Sequence, residues 1–161
     1  MSSNEHSISL RVNGREVSAE APARMHAADF LRHRLGLTGT HVGCEQGVCG
    51  MCTILLDGEA VKSCLLLAMQ LEGADVRTVE SLAEDDRLSD LQAAFKKRHA
   101  LQCGFCTPGF LMLATGLKSS GRKFSRDEIR GELSGVLCRC TGYDGIVRAV
   151  EDYLGDGEAV G

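Results

Sequence analysis

Ile8, Leu10 and Val12 alternate with polar neighbours, the two-residue period of a half-buried strand. Asn13-Gly14 follows, the dipeptide that favours a type I′ turn, so Arg15 to Ala19 is predicted as the return strand of a hairpin. The period then changes. Met25, Ala28, Phe30, Leu31 and Leu35 share one face of a helix that Gly36 would stop. Thr53 to Leu56, the turn Asp57-Gly58, and Glu59 to Ser63 form a second hairpin pattern, and Val76 to Val79 reads as a further short strand. A small mixed sheet with one helix against it is expected for residues 1–80.

Beyond an acidic, polar connector at 81–87, centred on Glu84-Asp85-Asp86, the strand signals stop and helical periods begin. Leu88, Leu91 and Phe95 form a stripe with Ser89 near the N-cap. Thr107-Pro108 starts a nearly all-apolar helix that runs to about Leu117, since proline in the first turn gives up no hydrogen bond. Ser125 with Glu128 forms a capping box for a helix through Leu133. Asp144 is placed to cap the last helix, whose core face is Ile146, Val147, Val150 and Leu154, with Gly155 ending it before a polar, frayed tail. Four short helices therefore fit residues 88–154, and the fold class is α+β.

Composition narrows the function. The net charge of −4 argues against nucleic acid as the main partner. The one basic run, Lys96-Lys97-Arg98, reads as the solvated face of a helix. The start, MSSNEHSISL, lacks the basic-then-apolar layout of a signal peptide, and the longest apolar run, Cys64 to Met69, is too short to span a bilayer. A soluble, cytoplasmic protein is expected, and in a reducing compartment its eight cysteines are metal-ligand candidates before disulfide candidates.

Those cysteines form two quartets. Cys44, Cys49, Cys52 and Cys64 are spaced C-x4-C-x2-C-x11-C, whose first part is the plant-type arrangement for a [2Fe-2S] cluster. Gly43, Gly47 and Gly50 allow the sharp turns that thiolates wrapped around a compact core require. Cys103 and Cys106 (C-x2-C) and Cys138 and Cys140 (C-x-C) make the second quartet, at the ends of predicted helices. Structural zinc is the alternative for both, although neither quartet has the paired C-x2-C knuckles of a zinc ribbon. Two one-electron clusters in series would make the chain an electron conduit. A stand-alone ferredoxin or a zinc-stabilised interaction module are the rivals. No G-x-G-x-x-G, phosphate loop or Ser/His/Asp set is visible, and the five histidines do not cluster. His41, three residues before Cys44, could tune a cluster by charge but reads more simply as a surface histidine.

Three stretches carry a resemblance: GLTGTHVGCEQGVCGMCTILLDG (Gly36 to Gly58), LQCGFCTPGF (Leu101 to Phe110) and CRCTGY (Cys138 to Tyr143). Together they make the chain similar to the small iron–sulfur subunits of the molybdenum hydroxylases, the xanthine oxidase family with its aldehyde oxidoreductase and CO dehydrogenase relatives. The resemblance implies a plant-ferredoxin-like β-grasp domain (1–80), a linker (81–87) and a four-helix-bundle domain (88–161). It implies a proximal [2Fe-2S] cluster on Cys103, Cys106, Cys138 and Cys140 and a distal one on Cys44, Cys49, Cys52 and Cys64. Molybdopterin, as the cytosine dinucleotide, would lie on a large partner subunit and FAD on a medium one, in a dimer of heterotrimers. Gln102 and Cys140 would contact the pterin, and no substrate pocket would lie on this chain. Met51, where relatives more often carry alanine or serine, is a small departure that would leave the distal cluster's cover more apolar.

Overall fold

In the computed structural model, which describes residues 5–83 and 87–155, strands come first and helices second. The first hairpin pairs β1 (Glu5–Val12) with β2 (Arg15–Pro22) in register Val12↔Arg15, and β2 continues past the predicted Ala19. Positive φ at both Asn13 (51°) and Gly14 (79°) makes the turn type I′. The second hairpin, β3 (Thr53–Leu56) and β4 (Glu59–Lys62), is turned the same way by Asp57 and Gly58. The last strand, β5 (Asp75–Arg77), lies one to two residues before its predicted position. It runs parallel to β1 and antiparallel to β3, which gives the five-stranded order β2-β1-β5-β3-β4.

The predicted helix at Met25 to Leu35 is shorter and wider than its period suggests. Its α1 part (Ala27–Asp29) is capped by His26, whose Nδ1 accepts the Asp29 N–H, and Phe30–Arg34 continues as a π-helix. Met25 stands before it, donating its N–H to the Pro22 carbonyl. Gly36, at φ +72°, ends the segment as expected. Ile8, Leu10, Phe30, Leu31, Ile54, Leu71 and Val76 are buried between this segment and the sheet. Each such side chain is worth roughly 1.5–3 kcal/mol of transfer free energy.

The helical half contains α2 (Asp90–Lys97), α3 (Thr107–Ser119), α4 (Arg126–Leu133) and α5 (Asp144–Leu154), around Leu91, Phe95, Phe110, Ile129, Leu133, Ile146 and Val150. Capping boxes start α2 (Ser89 with Gln92) and α4 (Ser125 with Glu128). Leu88 precedes α2 and is exposed rather than part of its stripe. Asp144 is not the cap of α5. Tyr143 holds that position with left-handed backbone (φ 68°), while the Asp144 carboxylate pairs with Arg126 and Arg148. Of the basic run, Lys96 and Lys97 are exposed, and Arg98 is a forked partner of Asp152 at 2.6 and 2.8 Å. The acidic triplet Glu84-Asp85-Asp86 and the tail beyond Gly155 lie outside the described residues.

Glycines join the two halves. A Cβ on Gly50 would stand 2.2 Å from the Gly135 carbonyl oxygen, and one on Gly109 of α3 would stand 2.6 Å from the Gly50 carbonyl oxygen. Further along α3, Gly116 lies against Ala60 and Leu55 of the second hairpin. The backbone of the first cysteine loop is thus pressed directly onto α3 and the segment after α4.

Candidate metal centres

The first cysteine loop leaves the π-turn through Gly36 and ends at β3. Left-handed backbone at Glu45, Gly47 and Gly50 curls it, so Cys44 meets the amides that follow. Its Sγ accepts N–H bonds from Cys49 (3.3 Å) and Gln46 (3.4 Å). These donors, the Cys49 amide foremost, hold the Cys44 thiol down at about 7. The Cys49 thiol shares a hydrogen bond with it and is raised, mainly by burial. Cys64 arrives from the short turn Ser63–Leu65 and pairs with Cys52; burial pushes its thiol up to about 11. A Cβ on Gly43 would stand 3.2 Å from Cys49 Sγ and 2.8 Å from Met51 Sδ, so the loop closes over its sulfurs only because that position is bare.

The second group lies where α3 begins and α4 ends. Cys106 is the N-cap residue of α3 and is buried; burial and the neighbouring Cys138 thiol push it up to about 12. Burial also works against the Cys138 thiolate, but the Thr141 hydroxyl (3.1 Å) and amide (3.4 Å) lower its pKa on balance. The Cys138 N–H donates to the Tyr143 hydroxyl at 2.8 Å, which sets the direction of this loop. Cys103 and Cys140 are exposed, with sulfurs 3.5 Å apart. Cys103 is lowered chiefly by the Phe105 amide, and Cys140 is raised by its hydrogen bond with Cys103. Beside them the Gln102 side-chain amide donates to the Cys140 carbonyl at 3.1 Å.

All eight thiols are free of disulfides and gathered into two groups of four, and each group divides into two pairs. The pairing bears on which metal fits. One tetrahedral zinc ion draws four sulfurs around one point at about 2.3 Å each. A [2Fe-2S] core takes four thiolates, two on each iron, and the donor set of two adjoining pairs suits it. The amides aimed at Cys44, Cys103 and Cys138 are placed to stabilise its negative charge.

The raised thiols give a pH prediction. In the metal-free protein, Cys64 and Cys106 keep their protons up to about 11 and about 12, against an ordinary value of 9.0. Below about 9 they are neutral folded or unfolded. As pH rises from about 9 towards about 12 the unfolded chain ionises first, so the stability of the reduced, metal-free protein should fall across that window. Metal loading has the opposite dependence, because ligation must remove those protons and weakens as pH falls. Denaturant titrations of the metal-free protein at a series of alkaline pH values test this, and a midpoint that stays level would contradict it.

Thr141, Tyr143, Gly109 and the contact between His41 and Phe105 are not singled out by sequence reasoning. Only the position of Thr141 and Tyr143 beside Cys138 hinted at them.

Comparison with known proteins gives matches over nearly the whole chain. The family described as "2Fe-2S iron-sulfur cluster binding domain" matches residues 10–83, and "[2Fe-2S] binding domain" matches residues 78–151. Caffeine dehydrogenase subunit gamma of Pseudomonas sp. (strain CBB1) is 54% identical over 151 residues, covering 92% of this chain and 90% of that protein. The nicotine 6-hydroxylase small subunit of Paenarthrobacter nicotinovorans is 55% identical over 148 residues, covering 92% and 89%. Quinoline 2-oxidoreductase from Pseudomonas putida 86 contains a chain of the same fold, with TM-score 0.91 and 51% identity over 93% of each chain.

Proposed function

The chain belongs to the iron–sulfur subunits of the molybdenum hydroxylase family, and from that premise we propose that it relays single electrons from a molybdopterin site to FAD, both on partner subunits. It acts as the electron-transfer subunit of an oxidoreductase complex. Cys103, Cys106, Cys138 and Cys140 hold the proximal [2Fe-2S] cluster, and Cys44, Cys49, Cys52 and Cys64 hold the distal one. The observation that carries the reading is the pair of four-thiol groups, each split into two pairs, with Leu137 beside one group hydrogen-bonded to Cys49 of the other at 2.9 Å. Bound clusters would supply one-electron acceptor and donor chemistry, which divides a two-electron oxidation into single steps. The chain's own residues hold the sulfurs in place, aim amides at them and exclude water from Cys49, Cys52, Cys64 and Cys106.

Residues 1–80 form the ferredoxin-like domain, 81–87 the linker and 88–161 a four-helix-bundle domain in this reading. Gln102 and Cys140 meet the pterin. Their support is the exposed, hydrogen-bonded pair beside Cys103, with the exposed Leu101 and Leu137 nearby as an apolar rim. The partners are a large molybdopterin-binding subunit, with the cofactor as its cytosine dinucleotide, and a medium FAD-binding subunit, in a dimer of heterotrimers. No helix among the described residues is long and apolar enough to cross a membrane. The eight thiols suit a reducing cytoplasm.

Isolation of the native complex tests this directly. It should carry two larger subunits, show visible absorption that bleaches with dithionite, and give two distinct iron–sulfur EPR signals. A colourless chain that runs alone with bound zinc would overturn the proposal.

A further inference from the structure

Among the described residues, two hydrogen-bonded links join the thiol groups, and neither uses a cysteine sulfur. One is the Leu137 N–H on the Cys49 carbonyl at 2.9 Å. The other is made by side chains. His41, three residues before Cys44, reaches Phe105, which stands between Cys103 and Cys106. Its Nδ1 lies 2.7 Å from the Phe105 carbonyl oxygen. The two rings stack with centroids 4.8 Å apart and planes 17° from parallel. A carbonyl can only accept, so His41 Nδ1 carries the proton. The Phe105 ring also faces the first loop: a Cβ on Gly43 would stand 3.7 Å from its Cε1 and 3.2 Å from Cys49 Sγ. Phe105 belongs to the second thiol group by sequence and lies against the first in space.

We propose that His41 is a positioning residue for electron exchange between the two centres. Its Nδ1–H fixes the Phe105 carbonyl, and through that peptide the Cys106 backbone, at a set separation from the Cys44 loop. The proposal rests on the reading that both thiol groups hold [2Fe-2S] clusters. In the exchange one centre loses one electron and the other gains it; no bond forms or breaks and no proton has to move. Tunnelling weakens steeply with separation, so a loosened Phe105 peptide lets the Cys106 backbone drift and slows exchange while all four thiols are retained. Two observations mark the link as built. His41 engages both the ring and the carbonyl of one residue, which only one ring orientation satisfies. Phe105 is 45% exposed, so core packing holds it only in part and the His41 contact adds to that hold.

The test uses the purified complex with two variants. His41→Asn keeps a donor near the Nδ1 position and loses the ring. His41→Phe keeps a stacking ring and loses the donor. Iron content and visible absorption report loading, the magnetic splitting between the two centres in the fully reduced EPR spectrum reports their separation, and stopped-flow reduction reports exchange. His41→Asn should retain the wild-type splitting and rate, whereas His41→Phe should alter the splitting and slow exchange several-fold. His41→Phe tracking wild type, both variants tracking it, or both departing alike would overturn the proposal. A wild-type complex with a single iron–sulfur signal would overturn the two-centre reading and this proposal with it. Two wild-type signals with an unaltered His41→Phe variant would overturn this proposal alone.

Discussion

Cys106→Ser should abolish substrate-driven turnover of the complex while leaving the chain folded. Cys106 is buried at the start of α3 and paired with Cys138, so in the proposed relay its replacement would remove one of four ligands from the proximal centre and leave a small hydroxyl that the helix N-terminus tolerates. About half of the iron and visible absorption should go, since each centre would carry two of four irons. One of two EPR signals should vanish with them. Cys49→Ser should do the complementary thing: the proximal signal survives and is reduced by substrate, but FAD receives nothing. Rapid-mixing spectra of both variants decide the order of the centres. If either variant reduced its acceptor at the wild-type rate, the linear relay would be wrong.

The second large effect lies at the glycine junction. Gly→Ala inside a helix ordinarily stabilises by about 1 kcal/mol. Gly109→Ala in α3 should reverse that sign and destabilise by roughly 1–3 kcal/mol, because the new methyl meets backbone that cannot rotate away. The obstructing atoms are the Gly50 carbonyl oxygen at 2.6 Å and Met51 Cα at 3.1 Å. Gly131→Ala in α4 is the matched control: its Cβ meets nothing within 4 Å, and the ordinary gain is expected there. Thermal midpoints of the two variants should therefore move in opposite directions. Because Gly50 and Met51 lie between Cys49 and Cys52, Gly109→Ala should also disturb the distal centre's EPR signal, and Gly131→Ala should not. Equal shifts for the two variants would mean that the halves are not pressed together at this point.

Much of this molecule is legible from neighbours along the chain. Asn13-Gly14 and Asp57-Gly58 specify both hairpins, because a type I′ turn needs two residues that accept positive φ and those pairs supply them. Ser125 with Glu128 marks the start of α4 to the residue. Cysteine spacing separates two quartets before any fold is drawn. The misses have causes that the local pattern does not announce. The stripe from Met25 to Leu35 has helical period, yet the chain widens into a π-turn after Asp29, with Leu35 N–H bonded to the Phe30 carbonyl. Asp144 is a good capping residue by type, but Arg126 and Arg148 hold its carboxylate outside the cap. His41 looks like a surface residue because nothing adjacent to it announces Phe105.

The sequence by itself determined the hairpins, the helix starts and the division of the thiols into two sets, since turn chemistry, capping and ligand spacing are properties of short stretches. Only the tertiary structure decided how the sets stand to each other. Residues 41 and 105 are 64 positions apart, and their contact exists because α3 lies on the second hairpin with glycines at the points of closest approach. It also decided which thiols are buried and which exposed, and hence that burial pushes the Cys64 and Cys106 thiols up. Distance and burial are set by packing across the chain, and no local pattern records them.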